Sequence, residues 1–384
     1  MKTVLYFRSP SQTNAPAEKL IGAKDFAARA RWHLQSPETP LVAEKLGELI
    51  RFWKPDGIIV EGGEWSIRVN PRAFARIPTV FLDQLPRHPP ENHVAVLHDS
   101  LAAGQLAARE LLLTGYGHFA FVPFPGSWRW NEERREGFLK ALQLNGHSAE
   151  VFNARGTSLD APTYALALRK FLAALPKPCA VFVANDRPAE KVIAEARGLG
   201  LDLPDELAVL GVDDYAPICE HTQPTLSSVK PDFRGGGFLA ALALAALMRD
   251  GDRFRGERLR RYGTLGIVRR ASTRIPLVAG DRESAAALEL IRTRATAGLR
   301  AEEVMKTYSC SRTLAAARFR RATGRSILEE IHAIQLEKAK SLLADSTMPL
   351  KVIADFCGFR NPNSLRKFFR RETGKAMSAY RAES

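Results

Sequence analysis

Two groups of residues in this 384-residue chain have the types and spacing to do chemistry. Near the C-terminus, Asn363, Ser364, Arg366, Lys367 and Arg370 fall on the outward face of a predicted helix whose inward stripe is Leu365, Phe368 and Phe369. Asn and Arg present paired hydrogen-bonding groups, the geometry that adenine and guanine edges accept in a major groove. The second group stands earlier, where apolar strand-like runs end in polar residues: Arg8-Ser9, Asn185-Asp186 and Asp213-Asp214. Such side chains supply donors and acceptors for hydroxyl groups. Trp128 and Trp130, close by in sequence, add faces on which sugar C–H bonds pack, so the set suits a polyol.

Neither group is a catalytic constellation. There is no P-loop and no GxSxG, the eight histidines form no HExxH, and Gly235-Gly236-Gly237 lacks the GxGxxG spacing after a strand. The glycines read instead as a close turn into an apolar core helix, Phe238 to Met248. Cys179, Cys219, Cys310 and Cys357 contain no CxxC pair, which argues against a zinc site or a disulfide framework. No metal, cofactor or enzymatic activity is expected. The apolar run after Met1 is four residues long before Arg8, too short for a signal peptide, and 238–248 is too short for a bilayer. A cytoplasmic protein with no membrane partner is the expectation.

The net charge of +14 favours a polyanionic partner, and its distribution sharpens that inference. Residues 277–384 hold 20 Lys/Arg against 12 Asp/Glu, a several-fold higher density of positive charge than the rest of the chain. An internal repeat lies in the same stretch. Arg318-Phe319-Arg320-Arg321-Ala322-Thr323-Gly324 recurs fifty residues later as Phe368-Phe369-Arg370-Arg371-Glu372-Thr373-Gly374. Each copy ends at a glycine suited to a helix C-terminus. In the second copy Leu350, Ile353, Ala354 and Cys357 keep helical spacing until Gly358, and Asn361-Pro362 starts the next helix as cap and first residue. That is helix-turn-helix geometry. Between the copies, Ser326 and Glu329 make a capping box for a connector helix with Ile331, Ile334, Leu336, Ala339, Leu342 and Leu343 on its apolar face.

Residues 285–384 resemble the AraC-type DNA-binding domain, carried by "SRTLAAARFRRATG", by the segment from Gln335 through Gly374, and by Tyr380-Arg381. The resemblance implies an all-α domain with two helix-turn-helix units on double-stranded operator DNA. Its contacts would be Arg312, Thr313, Arg320 and Arg321 in the first unit, and Asn363, Ser364, Arg366, Lys367, Arg370 and Arg371 in the second. Two departures stand out. Ala315, Ala316 and Ala317 replace the family's Leu and larger polar residues, reducing base reading there to Arg312, Thr313 and methyl contacts. Met377 replaces a usual Pro, which predicts a less sharply started final helix.

Upstream, strand-like runs at Thr3–Phe7, Gly57–Val60, Thr79–Leu82, Ala120–Pro123, Ala180–Ala184 and Ala208–Val212 alternate with helical stretches such as Ala102–Leu113 and Arg134–Leu144, the pattern of an α/β architecture. The strings "VLHDSLAAGQLAARELLLTGYGHFAFV", "RREGF", "VFVANDRPAEKVIAEARGLGLDLPDELAVLGVDD" and "PTLSSV" resemble the sugar-binding domain of LacI/GalR-type regulators. That resemblance covers residues 1–275 and implies a periplasmic-binding-protein-like fold: two lobes, three crossovers and a ligand in the cleft. Carried over, the effector contacts are Asp99, Arg134, Asn185, Asp186 and Asp213, with Trp130 and Arg8 beside them; Asp99 equally suits a helix cap and Asp213 a turn. A LacI-like sensor followed, across a linker at 276–284, by an AraC-like reader is an arrangement of sugar-operon regulators. It implies a homodimeric activator that responds to D-xylose or a related sugar and has RNA polymerase as a partner. A transport-type sugar-binding protein and a sugar-converting enzyme are the competing classes.

Overall fold

The protein's structure is a computed structural model that describes residues 1–9, 13–37, 43–62, 77–86, 92–153, 158–274, 282–323, 325–344 and 349–383. It divides into two compact units, Met1–Thr273 and Arg274–Ser384. In the first unit the chain runs β1 (Thr3–Phe7), α1 (Ala15–Ala30), β2 (His33–Gln35), α2 (Ala43–Trp53), β3 (Gly57–Glu61), β4 (Thr79–Leu82) and β5 (His93–His98). It then builds another lobe from α3 (Ser100–Leu112), β6 (His118–Val122), α4 (Arg129–Gln143), β7 (Ala149–Val151) and α5 (Pro162–Ala174). That lobe continues through β8 (Cys179–Val183), α6 (Asp186–Gly198), β9 (Leu207–Val212), α7 (Ala216–Cys219) and β10 (Ser227–Pro231). The chain returns to the first lobe as α8 (Phe233–Asp250) and β11 (Leu259–Tyr262), and crosses once more into β12 (Thr264–Val268).

The sheet orders are β2-β1-β3-β4-β5-β11 and β7-β6-β8-β9-β10-β12, so the lobes repeat one topology. Neighbours are parallel except β10 with β12. The central strands β3, β8 and β9 are buried along their whole length, as covering by helices on both faces requires. This is why they read as continuous apolar runs. The six expected strands are present with ends shifted by a residue or two. Of the other six, β5 also carries an apolar run, at 94–97, that the sequence reading omits, and the rest are short or interrupted by polar residues or glycine.

Each lobe is clasped by two helices that cross at reciprocal glycines. A Cβ on Gly22 of α1 would fall 1.8 Å from the Arg234 carbonyl of α8, and one on Gly237 of α8 1.8 Å from that of Lys19. In the other lobe a Cβ on Gly104 of α3 would fall 2.1 Å from the Arg134 carbonyl, and one on Gly137 of α4 2.1 Å from that of Leu101. Gly235 to Gly237 therefore do not make a turn. They lie inside α8, where Gly237 lets α1 approach, Gly236 leaves room for the Tyr262 ring and Gly235 for the capping Asp232 carboxylate.

Three crossings join the lobes: β5 to α3, β10 to α8 and β11 to β12. Asp99 N donates to Tyr262 O at 2.8 Å and Asp232 N to Gly263 O at 3.0 Å, which ties the crossings together. Asp99 and Asp232 also cap α3 and α8 through their side chains.

The second unit is all helical. It comprises α9 (Arg282–Arg294), α10 (Ala301–Met305), α11 (Arg312–Thr323), α12 (Ile327–Ala344), α13 (Leu350–Phe356), α14 (Pro362–Thr373) and α15 (Met377–Glu383). Of the stretch read as a linker, 276–281 lies outside the described residues, whereas 282–284 already begin α9. Helix α12 serves two cores. Ile327, Ile331 and Ile334 pack with α9, α10 and α11, while Leu336, Ala339, Leu342 and Leu343 pack with α13, α14 and α15. The expected capping box forms: Ser326 N donates to Glu329 Oε2 at 2.7 Å, and Glu329 N to Ser326 Oγ at 3.3 Å. Met377 opens α15 as a buried core residue, so the helix starts where the family's Pro would stand. No helix among the described residues is long and apolar enough to cross a membrane.

Candidate ligand cleft and nucleic-acid interface

The parallel strands of both lobes point their carboxyl ends at a cavity of about 650 Å³. In open α/β sheets this is where ligands bind, because the loops there carry the variable side chains. Of the residues singled out from sequence, Trp130, Arg134, Asn185 and Asp213 line this cavity. Asn185 caps α6 through Oδ1, and its Nδ2 donates to Asp213 Oδ2 at 2.6 Å. Arg134 NH2 lies 3.4 Å from Asp213 Oδ1, its NH1 donates to the Ala184 carbonyl, and its guanidinium carbon sits 4.7 Å from the Trp130 ring centre. Asp213 itself holds φ 108, a backbone state unfavourable for a side-chain-bearing residue.

Three expectations need correction. Asp99 does not line the cavity; its carboxylate accepts from Ala102 N at 3.0 Å as the cap of α3. Arg8 is exposed, and the next residue, Ser9, turns inward with its N–H on Glu61 Oε2 at 3.1 Å. Asp186 is buried behind the cavity wall. It accepts from Ser228 Oγ at 2.7 Å, Tyr215 N at 2.8 Å and Cys219 Sγ at 3.3 Å, and so fixes the turn that carries Asp213. Burial, then the charge of Asp213, pushes the Asp186 carboxyl up to about 8. Burial also raises Asp213, with Arg134 opposing.

The first lobe contributes residues that sequence reading passed over: Ser9, Lys19, Glu61, Asp83, His98 and Tyr262. Lys19 Nζ lies 3.1 Å from Glu61 and 2.5 Å from Asp83, and Tyr262 OH donates to Asp83 at 2.8 Å. Burial alone would lower the Lys19 ammonium's pKa, but the two carboxylates outweigh it and raise it. Burial, reinforced by the Arg134 charge, pulls His98 down to about 3 and keeps it neutral. A spacing signal was present. Lys19 stands three residues before Gly22 as Arg134 stands three before Gly137, and Asp83 follows β4 as Asp213 follows β9. The two lobes thus face each other with equivalent cation–carboxylate pairs. Both carboxylates occupy positive-φ positions, Asp83 at 54°.

Charges on the cavity wall compensate one another. Glu133, on the wall from α4, accepts from Arg129 at 2.9 Å and from both terminal nitrogens of Arg261 at 3.0 and 3.1 Å, the last pair reaching from one lobe to the other. Among the described residues, three buried polar atoms of the lining have no hydrogen-bond partner: Ser9 Oγ, His98 Nε2 and Arg134 Nε. With Trp128, Trp130, Phe233 and Tyr262 around them, they offer directional hydrogen bonds inside an aromatic-walled cavity.

In the helical unit, Asn361 caps α14 by accepting from Ser364 N at 2.9 Å, and Pro362 takes the first helical position. Leu365, Phe368 and Phe369 are buried, while Asn363, Ser364, Arg366, Lys367, Arg370 and Arg371 are exposed. Arg366 NH1 donates to Asn363 Oδ1 at 3.1 Å, so these two side chains stand as a pair. In α11, Ser311 takes the capping position, with Leu314 N on its Oγ at 3.4 Å. Ala315 and Phe319 are buried, and Arg312, Thr313, Leu314, Ala317, Arg320 and Arg321 are exposed. Ala315 is therefore core, not reading surface. The expected C-terminal glycine of α14, Gly374, has φ 72; Gly324 lies outside the described residues. Gly358 has φ 77, and a Cβ there would fall 2.6 Å from the Gly298 nitrogen, so the second unit's turn rests on the loop before α10.

Comparison with known proteins follows the same division. Residues 108–273 match the periplasmic binding protein-like domain family and residues 305–383 the helix-turn-helix domain family. The chain is 26% identical over 339 residues to the xylose operon regulatory protein of Escherichia coli K12, covering 86% of this chain and 85% of that one. It is 32% identical over 203 residues to the transcriptional regulator GntR of Pseudomonas aeruginosa, covering 51% and 57%. Its fold is like that of the xylose-binding transcription activator XylR, with a TM-score of 0.60 at 21% identity, covering 100% of this chain and 98% of that one.

Proposed function

We propose that this chain, an AraC-type helix-turn-helix regulator carrying a periplasmic-binding-protein-like sensor, activates transcription in response to a neutral sugar, with D-xylose the first candidate. The observation that carries the reading is the cleft's charge balance. Each ionisable side chain of the described lining is paired or held neutral, so an anionic or cationic ligand would find no free counter-charge. A hydroxyl-bearing ligand instead meets three unpartnered polar atoms and four aromatic rings. The cavity volume is in the range of small-molecule sites. Ligand contacts then fall to Trp130, Arg134, Asn185 and Asp213 from one lobe, and Ser9, Lys19, Asp83 and His98 from the other. Asp99 and Asp186 act as a hinge cap and a wall support.

The reader binds double-stranded operator DNA. The N-terminal halves of α11 and α14 face the bases, and Arg320, Arg321, Arg370 and Arg371 face phosphates. A homodimer on tandem sites, in the cytoplasm and in contact with RNA polymerase, completes the reading. The xylose assignment draws on the relative named for the xylose operon. A sugar acid is the rival ligand chemistry, which the paired cations disfavour. Calorimetric titration of the full chain with D-xylose, other pentoses and hexoses, gluconate and a sugar phosphate separates these. Heat from a neutral sugar alone supports the proposal; binding of gluconate or the phosphate in its place overturns it.

A further inference from the structure

The fifty-residue repeat puts the two recognition helices in a common register, with Phe319 matching Phe369 and Thr323 matching Thr373. In that register the capping residues Ser311 and Asn361 correspond, and so do the buried Ala315 and Leu365. The exposed last-turn arginines also correspond, Arg320 with Arg370 and Arg321 with Arg371. The positions between cap and arginines differ in kind. Where α14 exposes Asn363, Ser364 and Lys367, α11 exposes Thr313, Leu314 and Ala317. Leu314 is 51% exposed although it stands in a helix with a buried face of its own. Arg366, which holds the Asn363 side chain, is matched by Ala316.

The N-terminal residues of a recognition helix are those that meet base edges. The base-edge group that an aliphatic side chain recognises in the major groove is the C5-methyl of thymine. We propose that α11 reads thymine methyl groups through Leu314, Ala317 and the Thr313 methyl, while α14 reads base edges by hydrogen bonds. The basic residues at both ends of α11 hold that apolar patch against the duplex, which makes DNA its occupant. The first unit then contributes specificity for thymine-containing steps with no exposed hydrogen-bonding side chain between Thr313 and Arg320, since Arg318 is half-buried and turned to Glu283. This inference rests on the DNA-binding reading above and assigns a specificity role within it.

Replacement of thymine by deoxyuridine removes the methyl and leaves pairing intact, which makes a direct test. The full-length protein, with and without D-xylose, selects duplexes from a random pool. Positions whose base preference relaxes in Lys367→Ala are assigned to α14, and each thymine in the other half is replaced in turn. The expected result is about a fourfold loss of affinity for each contacted methyl, the worth of one buried methyl group. Leu314→Asn loses that discrimination at its own thymine, whereas Arg320→Ala weakens thymine and deoxyuridine duplexes equally. Equal binding of both duplexes throughout that half overturns the proposal and leaves the regulator reading standing. So does an undiminished thymine preference in Leu314→Asn. Failure to select any duplex overturns both.

Discussion

Asp186 and His98 are both buried in the first unit, and their pKa values move in opposite directions. Asp186 is raised to about 8, so the stability of its neutral form is full below about pH 4 and lost as pH climbs through 8. His98 is lowered to about 3, so its contribution is full above about pH 6.5 and lost as pH falls below that. The two slopes oppose each other between about pH 4 and 6.5, and above that range stability declines through the raised carboxyls, Asp186 with Asp213 beside it. All five tryptophans precede residue 131, so their fluorescence reports on this unit alone. The thermal midpoint followed by tryptophan fluorescence is expected to fall from pH 6.5 to 8.5 in the native protein. Asp186→Asn should flatten that fall at a lower overall midpoint, because one of the donors on Asp186 loses its acceptor. An unchanged slope would assign the titration to another group. In the proposed reading Asp186 acts on the ligand only through the wall it supports; Arg134, Asn185 and Asp213 line the cavity itself.

At the scale of elements, close backbone approach does the positioning. The helix pairs α1/α8 and α3/α4 cross where glycines leave no room for a side chain, and these crossings set Lys19 and Arg134 at the cleft. In the second unit Gly358 combines a positive φ with a contact on Gly298. Alanine there meets backbone strain and a steric clash together, an expected loss of about 2 kcal/mol or more. Circular dichroism of Gly358→Ala should show an earlier helical transition while the tryptophan transition stays in place, since the units have separate cores. Operator binding should weaken and calorimetric sugar binding persist. A tryptophan transition that moves with the helical one would show instead that the two units unfold together.

For the whole molecule, the proposed function is a coupling between two sites on one chain. Coupling free energy is reciprocal: a sugar that tightens operator binding by a given factor must itself be bound tighter by that factor when operator is present. Tens- to hundreds-fold coupling corresponds to about 2–3 kcal/mol of differential affinity. Sugar titrations of the free protein and of the protein–operator complex are expected to differ by the factor that sugar imposes on operator affinity. Identical titrations would remove the sugar's role as effector. Lys19→Met, which strips Glu61 and Asp83 of their shared cation, should abolish the sugar response and leave sugar-independent DNA binding intact.

The amino-acid sequence by itself determined the order of the architectures, the repeat, the caps at Asn361 and Ser326, and the outward face of α14. These depend on local periodicity and on residues a few positions apart. It also pointed to Asn185 and Asp213, because each follows directly on a recognisable strand, and to Arg134 through the resemblance of the segment ending at Gly137. Only the tertiary structure decided that Asp99 turns to its own helix, that Asp186 points behind the wall and that Ala315 is core. Side-chain direction at an element's end depends on which neighbour supplies a donor or a space, and those neighbours are far away in sequence. Lys19, Asp83 and His98 stayed hidden for the same reason. They come from separate elements, α1 and the ends of β4 and β5, and become one surface only when the sheet brings the strand ends together.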